Sequence, residues 1–219
     1  MSWAPALGAI DSLANKGGEM IQLKRFLLPD IFQAAQQGRM RTVKSFLQKG
    51  TPVDVRDGSG RTPLMHAAEE GRPQMVQFLL DSGADPNAED DTQFTPLGLA
   101  VHYSHNLECV RLLIDHGADV NAQDDEGFSI LMLAVDDAPL ELIKMLVEAG
   151  ADVNHQDCEG DTPLIVAMDG FSSAQEIQYL LDSGADKTIR NNAGKCAYDV
   201  LYEDDDSFHG PEILELVRL

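Results

Sequence analysis

The chain has 219 residues, 43% of them hydrophobic and 24% charged, which is the balance of a folded protein with a water-facing surface. Its 37 acidic and 16 basic side chains leave a net charge of −21, which argues against nucleic acid or an anionic membrane as partner, because phosphate contact needs the opposite sign. No apolar run reaches the roughly 18 residues of a membrane span, and three widely spaced cysteines, Cys109, Cys158 and Cys196, do not make a disulfide framework, so a reducing, cytoplasmic setting is expected.

Charge is unevenly placed along the chain. Residues 1–49 hold seven basic side chains against three acidic ones, a balance of +4, so the remaining nine basic and 34 acidic side chains give residues 50–219 a balance of −25. That imbalance has two readings, solubility of an extended surface and attraction of a basic partner, and they are compatible. Residues 1–29 read as an N-terminal extension. The first fifteen carry no Lys or Arg, and Pro5, Gly8 and Asp11 interrupt any apolar core, so a secretory signal is not expected, although export by machinery that reads other features stays open. Met20, Ile21, Leu23, Phe26 and Leu27 predict a short helix that packs on the next unit, with Lys24 and Arg25 in water. Trp3 fits either a tucked side chain or a free arm.

From residue 30 onward the sequence repeats. Gly-Ala-Asp occurs at 83–85, 117–119, 150–152 and 184–186, at intervals of 34, 33 and 34 residues. Thr-Pro-Leu occurs at 62–64, 95–97 and 162–164, with Ser129-Ile130-Leu131 in the register between. Two independent strings sharing one period indicate a repeat architecture. In each unit Thr-Pro opens a helix, the hydroxyl capping free amides and the proline occupying the first helical position. Leu64, Ala67 and Ala68 give it an apolar face and Gly71 ends it; Met75, Val76, Leu79 and Leu80 mark a second helix, closed by Gly83. The polar stretch from Ala84 to Phe94 predicts an extended finger.

Asp57-Gly58-Ser59-Gly60-Arg61-Thr62-Pro63-Leu64, Gly83-Ala84-Asp85-Pro86-Asn87, Gly117-Ala118-Asp119-Val120-Asn121 and Gly150-Ala151-Asp152-Val153-Asn154 resemble the ankyrin-repeat family over about residues 30–219. The resemblance implies an all-α fold, an ankyrin-repeat solenoid of stacked helix-turn-helix units with β-hairpin-like fingers. About six units are expected. Unit one is Asp30–Arg56, units two to five begin at Asp57, Asp90, Asp124 and Asp157, and unit six begins near Asn191, with Pro211–Leu219 as a capping helix over the last open face. The histidine that usually follows Thr-Pro-Leu is replaced by Met65, Gly98, Met132 and Ile165, so apolar contact is expected in place of the Thr–His hydrogen bonds. Asn87, Asn121 and Asn154 stand where ankyrin repeats of animals can be hydroxylated; a structural role in the turn is the simpler expectation.

Departures from regularity mark where function is sought. The two 34-residue Gly-Ala-Asp intervals place single insertions near His102–Leu107 and Asp169–Ala174, at loops between helices, where drift is tolerated. By the resemblance, finger tips and the ends of first helices line a concave groove that meets partners. Those positions are Ser59, Arg61, Glu69 and Glu70; Asp91, Thr92, Phe94, His102 and Tyr103; Asp125, Glu126, Phe128, Asp136 and Asp137; Cys158, Glu159, Asp161 and Asp169; and Asn192 and Lys195. Phe94 and Phe128 hold equivalent places in adjacent units. Ringed by carboxylates they read as binding anchors, against the plainer reading that each ring folds onto its neighbour.

Chemistry finds little support. Asp157, Glu159 and Asp161 alternate, but Thr162-Pro163 opens a helix before a calcium loop is complete. His102 and His105 lack the companion motifs of a zinc site. Cys109 falls on a second helix, Cys158 on an acidic finger that would raise its thiol pKa, and Cys196 in a helix-opening position. No catalytic residue, cofactor or metal is assigned. The expected function is a non-enzymatic protein–protein interaction module: an inhibitor, immunity-type or adaptor protein, monomeric when free, that binds a basic protein through units two to five. The alternatives are a secreted bacterial effector or host-directed scaffold using the same groove, and an enzyme with a site in residues 1–29 or 200–219.

Overall fold

In the computed structural model the described residues are 30–169, 172–203 and 211–218. The expected helix before residue 30, the placement of Trp3 and the side chain of Asp169 lie outside them. Helices follow one another in pairs: α1 Ile31–Gln36 and α2 Met40–Gln48; α3 Pro63–Glu69 and α4 Pro73–Asp81; α5 Pro96–Leu99, which runs into a π turn Ala100–Ser104, and α6 Leu107–Asp115; α7 Ile130–Asp137 and α8 Leu140–Glu148; α9 Pro163–Asp169 and α10 Ala174–Asp182; α11 Ala197–Glu203 and α12 Pro211–Val217. First helices pack against first helices along the stack, and α12 packs on α10 and α11 at its end. One apolar core runs the length of the array from Ile31 to Val217, because each unit buries its inner faces only against its neighbours.

The helix-opening residues act as read from the sequence. Thr62, Thr95, Ser129 and Thr162 are buried, and their hydroxyls accept the backbone N–H of Met65, Gly98, Met132 and Ile165 at 3.2–3.3 Å. One expectation needs correction. At Met65 apolar contact does not simply replace a polar one: the Thr62 backbone N–H donates to the Met65 sulfur at 3.3 Å, while the side chain packs with Ala88, Leu99 and Phe94.

The fingers are short hairpin-like turns, as expected. Among the described residues they contain no extended strand, only tight turns and a single antiparallel bridge, Gln123 with Ser129. The acid or amide that opens each finger closes it from the side chain. Asp57 Oδ1 accepts from the N–H of Ser59 and Arg61, Asp90 Oδ1 from Thr92 and Phe94, Asp124 Oδ1 from Glu126 and Phe128, Asp157 Oδ1 from Glu159 and Asp161, and Asn191 Oδ1 from Ala193 and Lys195. The backbone of the same residue closes the turn as well: its N–H donates to the carbonyl four residues on, Asp57 to Arg61, Asp90 to Phe94, Asp124 to Phe128, Asp157 to Asp161 and Asn191 to Lys195, at 2.9–3.1 Å. Successive fingers are joined by one backbone bond each, Asp91 to Ser59, Asp125 to Thr92, Cys158 to Glu126 and Asn192 to Glu159, at 2.9–3.3 Å.

Asn87, Asn121 and Asn154 peg unit to unit. Each side-chain amide donates to the carbonyl of the next helix-closing glycine (Gly117, Gly150, Gly184) and accepts the N–H of the next Asp (Asp119, Asp152, Asp186), at 2.7–3.1 Å. Both ends of these side chains are thus spent on the frame.

The extra residue of unit three is absorbed inside the helix. His105 N–H reaches back to the Ala100 carbonyl, five residues earlier, and His105 turns left-handed at φ 48°. Part of the second insertion lies outside the described residues. After it, Ser173 caps α10 in a reciprocal box with Glu176.

Candidate functional site

The clearest concavity lies across units four to six, an open groove of about 860 Å³. Asp125, Glu126, Asp136, Asp157, Glu159 and Asp161 bring six carboxylates to it and Lys195 one cation. Beneath them are Phe128, Ile165, Val166 and Val200, buried or half-buried. Asp161 accepts the Asn191 side-chain amide at 2.7 Å. Exposed Asp125, Glu126, Asp136 and Glu159 stand around an apolar floor.

Eight of the sequence-derived positions therefore come together here: Asp125, Glu126, Phe128, Asp136, Cys158, Glu159, Asp161 and Lys195. The others are set elsewhere. Arg61 lies 3.0 Å from both Glu69 and Asp90, so the guanidinium and its two carboxylates largely satisfy one another. Burial alone would lower the Arg61 pKa and raise that of Asp90, but the pairing and the hydrogen bonds from Thr92 and Phe94 outweigh it and hold both groups charged. Glu70 accepts from Gln36 and faces Arg72 at 3.8 Å. Asp137 pairs with His105 at 3.1 Å. Asp91 is exposed at a finger tip.

Phe94 and Phe128 are both half-buried. They border a cleft of about 10 Å³ with Gly98 and Leu133, too small to take a ligand side chain. Phe94 lies over Gly98, where a Cβ would come 3.5 Å from its ring, and its centroid is 6.0 Å from His102, which in turn meets Tyr103 edge-on at 4.5 Å. Phe128 opens onto the larger groove as well.

The apolar floor from Ile165, Val166 and Val200 escaped the sequence reading. Ile165 stands where the family's usual histidine is replaced, and Val200 lies in α11, four residues after Cys196. The signal was present in the β-branched pair Ile165-Val166 next to the helix opening. Cysteine chemistry gains no support at Cys109: burial, with Glu108 beside it, pushes the thiol up to about 12. Among the described residues no three His, Cys, Asp or Glu side chains gather as a metal would require, and no helix is long and apolar enough to cross a membrane.

A family model described as ankyrin repeats, three copies, matches residues 31–124 and 106–191. Comparison with the curated proteins gives no match.

Proposed function

This chain belongs to the ankyrin-repeat family, a family of protein–protein interaction modules, and on that premise we propose that it works without catalysis as an inhibitor, immunity-type or adaptor protein that takes a segment of a basic protein into the acidic groove of units four to six. The observation that carries this reading is the composition of the groove: six carboxylates and one lysine around Phe128, Ile165, Val166 and Val200. The carboxylates raise the encounter rate with a positive segment, an effect that falls with salt. The apolar floor supplies the water-excluded contact on which residence time depends. The sign of the charge disfavours nucleic acid at the same surface.

The reading moves the expected contact from units two to five toward units four to six, because Arg61, Glu69 and Asp90 are already matched within the chain. The test is capture of partners by the purified chain at low salt and again at high salt, with Asp136→Asn/Glu159→Gln alongside. A basic partner lost at high salt and weakened by the charge change supports the proposal. An acidic partner, or capture indifferent to salt, overturns it.

A further inference from the structure

Unit three gathers the irregularities of the described chain. Its finger holds Gln93 at φ 62°, where units two, four, five and six have Gly60, Gly127, Gly160 and Gly194, and its helix-helix loop holds His105 at φ 48°; these are the two non-glycine residues with positive φ among those described. The π turn lies in the same unit. So do the two exposed large hydrophobic side chains of the described residues, Tyr103 at 54% within the turn and Leu107 at 36% at the start of α6.

The loop is built to hold this shape. Ser104 Oγ lies 2.9 Å from the Ala100 carbonyl and 3.1 Å from the Ala68 carbonyl of unit two, and His105 reaches Asp137 of unit four. Gly71 leaves room for it: a Cβ there would come 3.1 Å from Ser104 Cβ and 3.2 Å from Asn106 Cβ. Tyr103 is therefore presented on a clamped turn whose contacts lie at the first-helix ends of units two and four. Those same ends carry exposed Glu70, held by Gln36 and Arg72, Asp137, held by His105, and exposed Asp136. An exposed ring on a loop that joins two acidic helix ends suits a guanidinium, which stacks on the ring face.

We propose that Tyr103 and Leu107 form a second contact point for the basic partner, seating an arginine and an adjacent apolar side chain of the segment that fills the groove. This rests on the basic-partner reading above. The probes are two synthetic peptides of equal charge and of about 20 residues, long enough at about 3.3 Å per residue to span several units. One is built from lysine and glycine, the other from arginine and leucine. The quantity read is the ratio of their Kd values.

In Tyr103→Ala the preference for the arginine–leucine peptide should fall by a factor of about two to five, the size of one exposed cation–π contact. Tyr103→Phe, which keeps the ring, should retain it, and a thermal melt of each variant checks the fold. A ratio that is unchanged or raised in Tyr103→Ala overturns the second contact point alone. If the unaltered chain binds neither peptide, the basic-partner reading falls with it.

Discussion

Units three and four share one repeat frame and answer it differently. Unit four opens with Ser129, turns its finger on Gly127 and ends α7 without a left-handed residue. Unit three opens with Thr95, but forces Gln93 into the left-handed region, inserts a π turn and exposes Tyr103. Their second helices nevertheless bury matching residues: Cys109, Val110 and Leu113 in α6, Leu142, Ile143 and Leu146 in α8. An array that buries its core only between neighbours tolerates a change at its edge provided that the buried faces keep their register. The π turn restores that register after the extra residue, and so the irregularity is expressed at the surface.

This comparison can be broken most directly in the core. Leu113→Ala and Leu146→Ala occupy equivalent, fully buried places, and each should cost about 2–5 kcal/mol in urea unfolding. Comparable costs confine the irregularity to the edge of unit three; a much smaller cost at Leu113 would show that the whole unit is loosely packed. Next in size are the pegs. Asn87→Ala and Asn121→Ala each remove two inter-unit hydrogen bonds and should cost about 1–2 kcal/mol, with the same value on either side of unit three. Unequal losses would place the strain of unit three in its joints.

Acid sharpens the contrast between fingers. At Asp57 burial alone would raise the carboxyl pKa, but hydrogen bonds from Ser59, His66 and Arg61 outweigh it and bring it down to about 2 from 3.8. A carboxyl depressed in the folded state adds stability above its unfolded pKa and loses it as pH falls through the folded one. Its contribution, about 1 kcal/mol after solvent screening, should therefore disappear between about pH 4 and pH 2. Thermal melts of the chain and of Asp57→Asn across that window should converge. The smallest effect has the opposite sign: Gln93→Gly should raise stability by about 0.5–1 kcal/mol, because glycine accepts a left-handed backbone that costs other residues energy. The reverse change, Gly160→Ala, should destabilise, since its φ is +79° and a Cβ there would meet the Asn192 backbone N at 3.0 Å. If Gln93→Gly is neutral or harmful, its side chain is serving unit three in a way its backbone does not explain.

Much of this architecture was legible because it depends on local chemistry repeated at a fixed interval. Thr62-Pro63, Gly83 and the spacing of Met75, Val76, Leu79 and Leu80 specify caps, helix ends and buried faces without reference to distant residues. The site was legible in part. The acids of the fingers and helix ends were visible, and eight of the positions named from the sequence do line the groove. Which charges stay available was not visible, since that depends on pairs such as Arg61 with Asp90 and Asp137 with His105, brought together by stacking. Phe94 shows the same limit. Its place in the repeat resembles that of Phe128, yet a glycine one helical turn later leaves room for its ring against the stack.

The sequence by itself determined the repeat, its register, the helix boundaries and the surplus of negative charge, because period, capping residues and composition are properties of the chain. Only the tertiary structure decided how the extra residue of unit three is absorbed, how each finger is bonded to the next, and where carboxylates surround an apolar floor. Those outcomes depend on atoms some 30 residues apart meeting across adjacent units, where a hydrogen bond, an ion pair or a missing Cβ settles which surface is left for a partner.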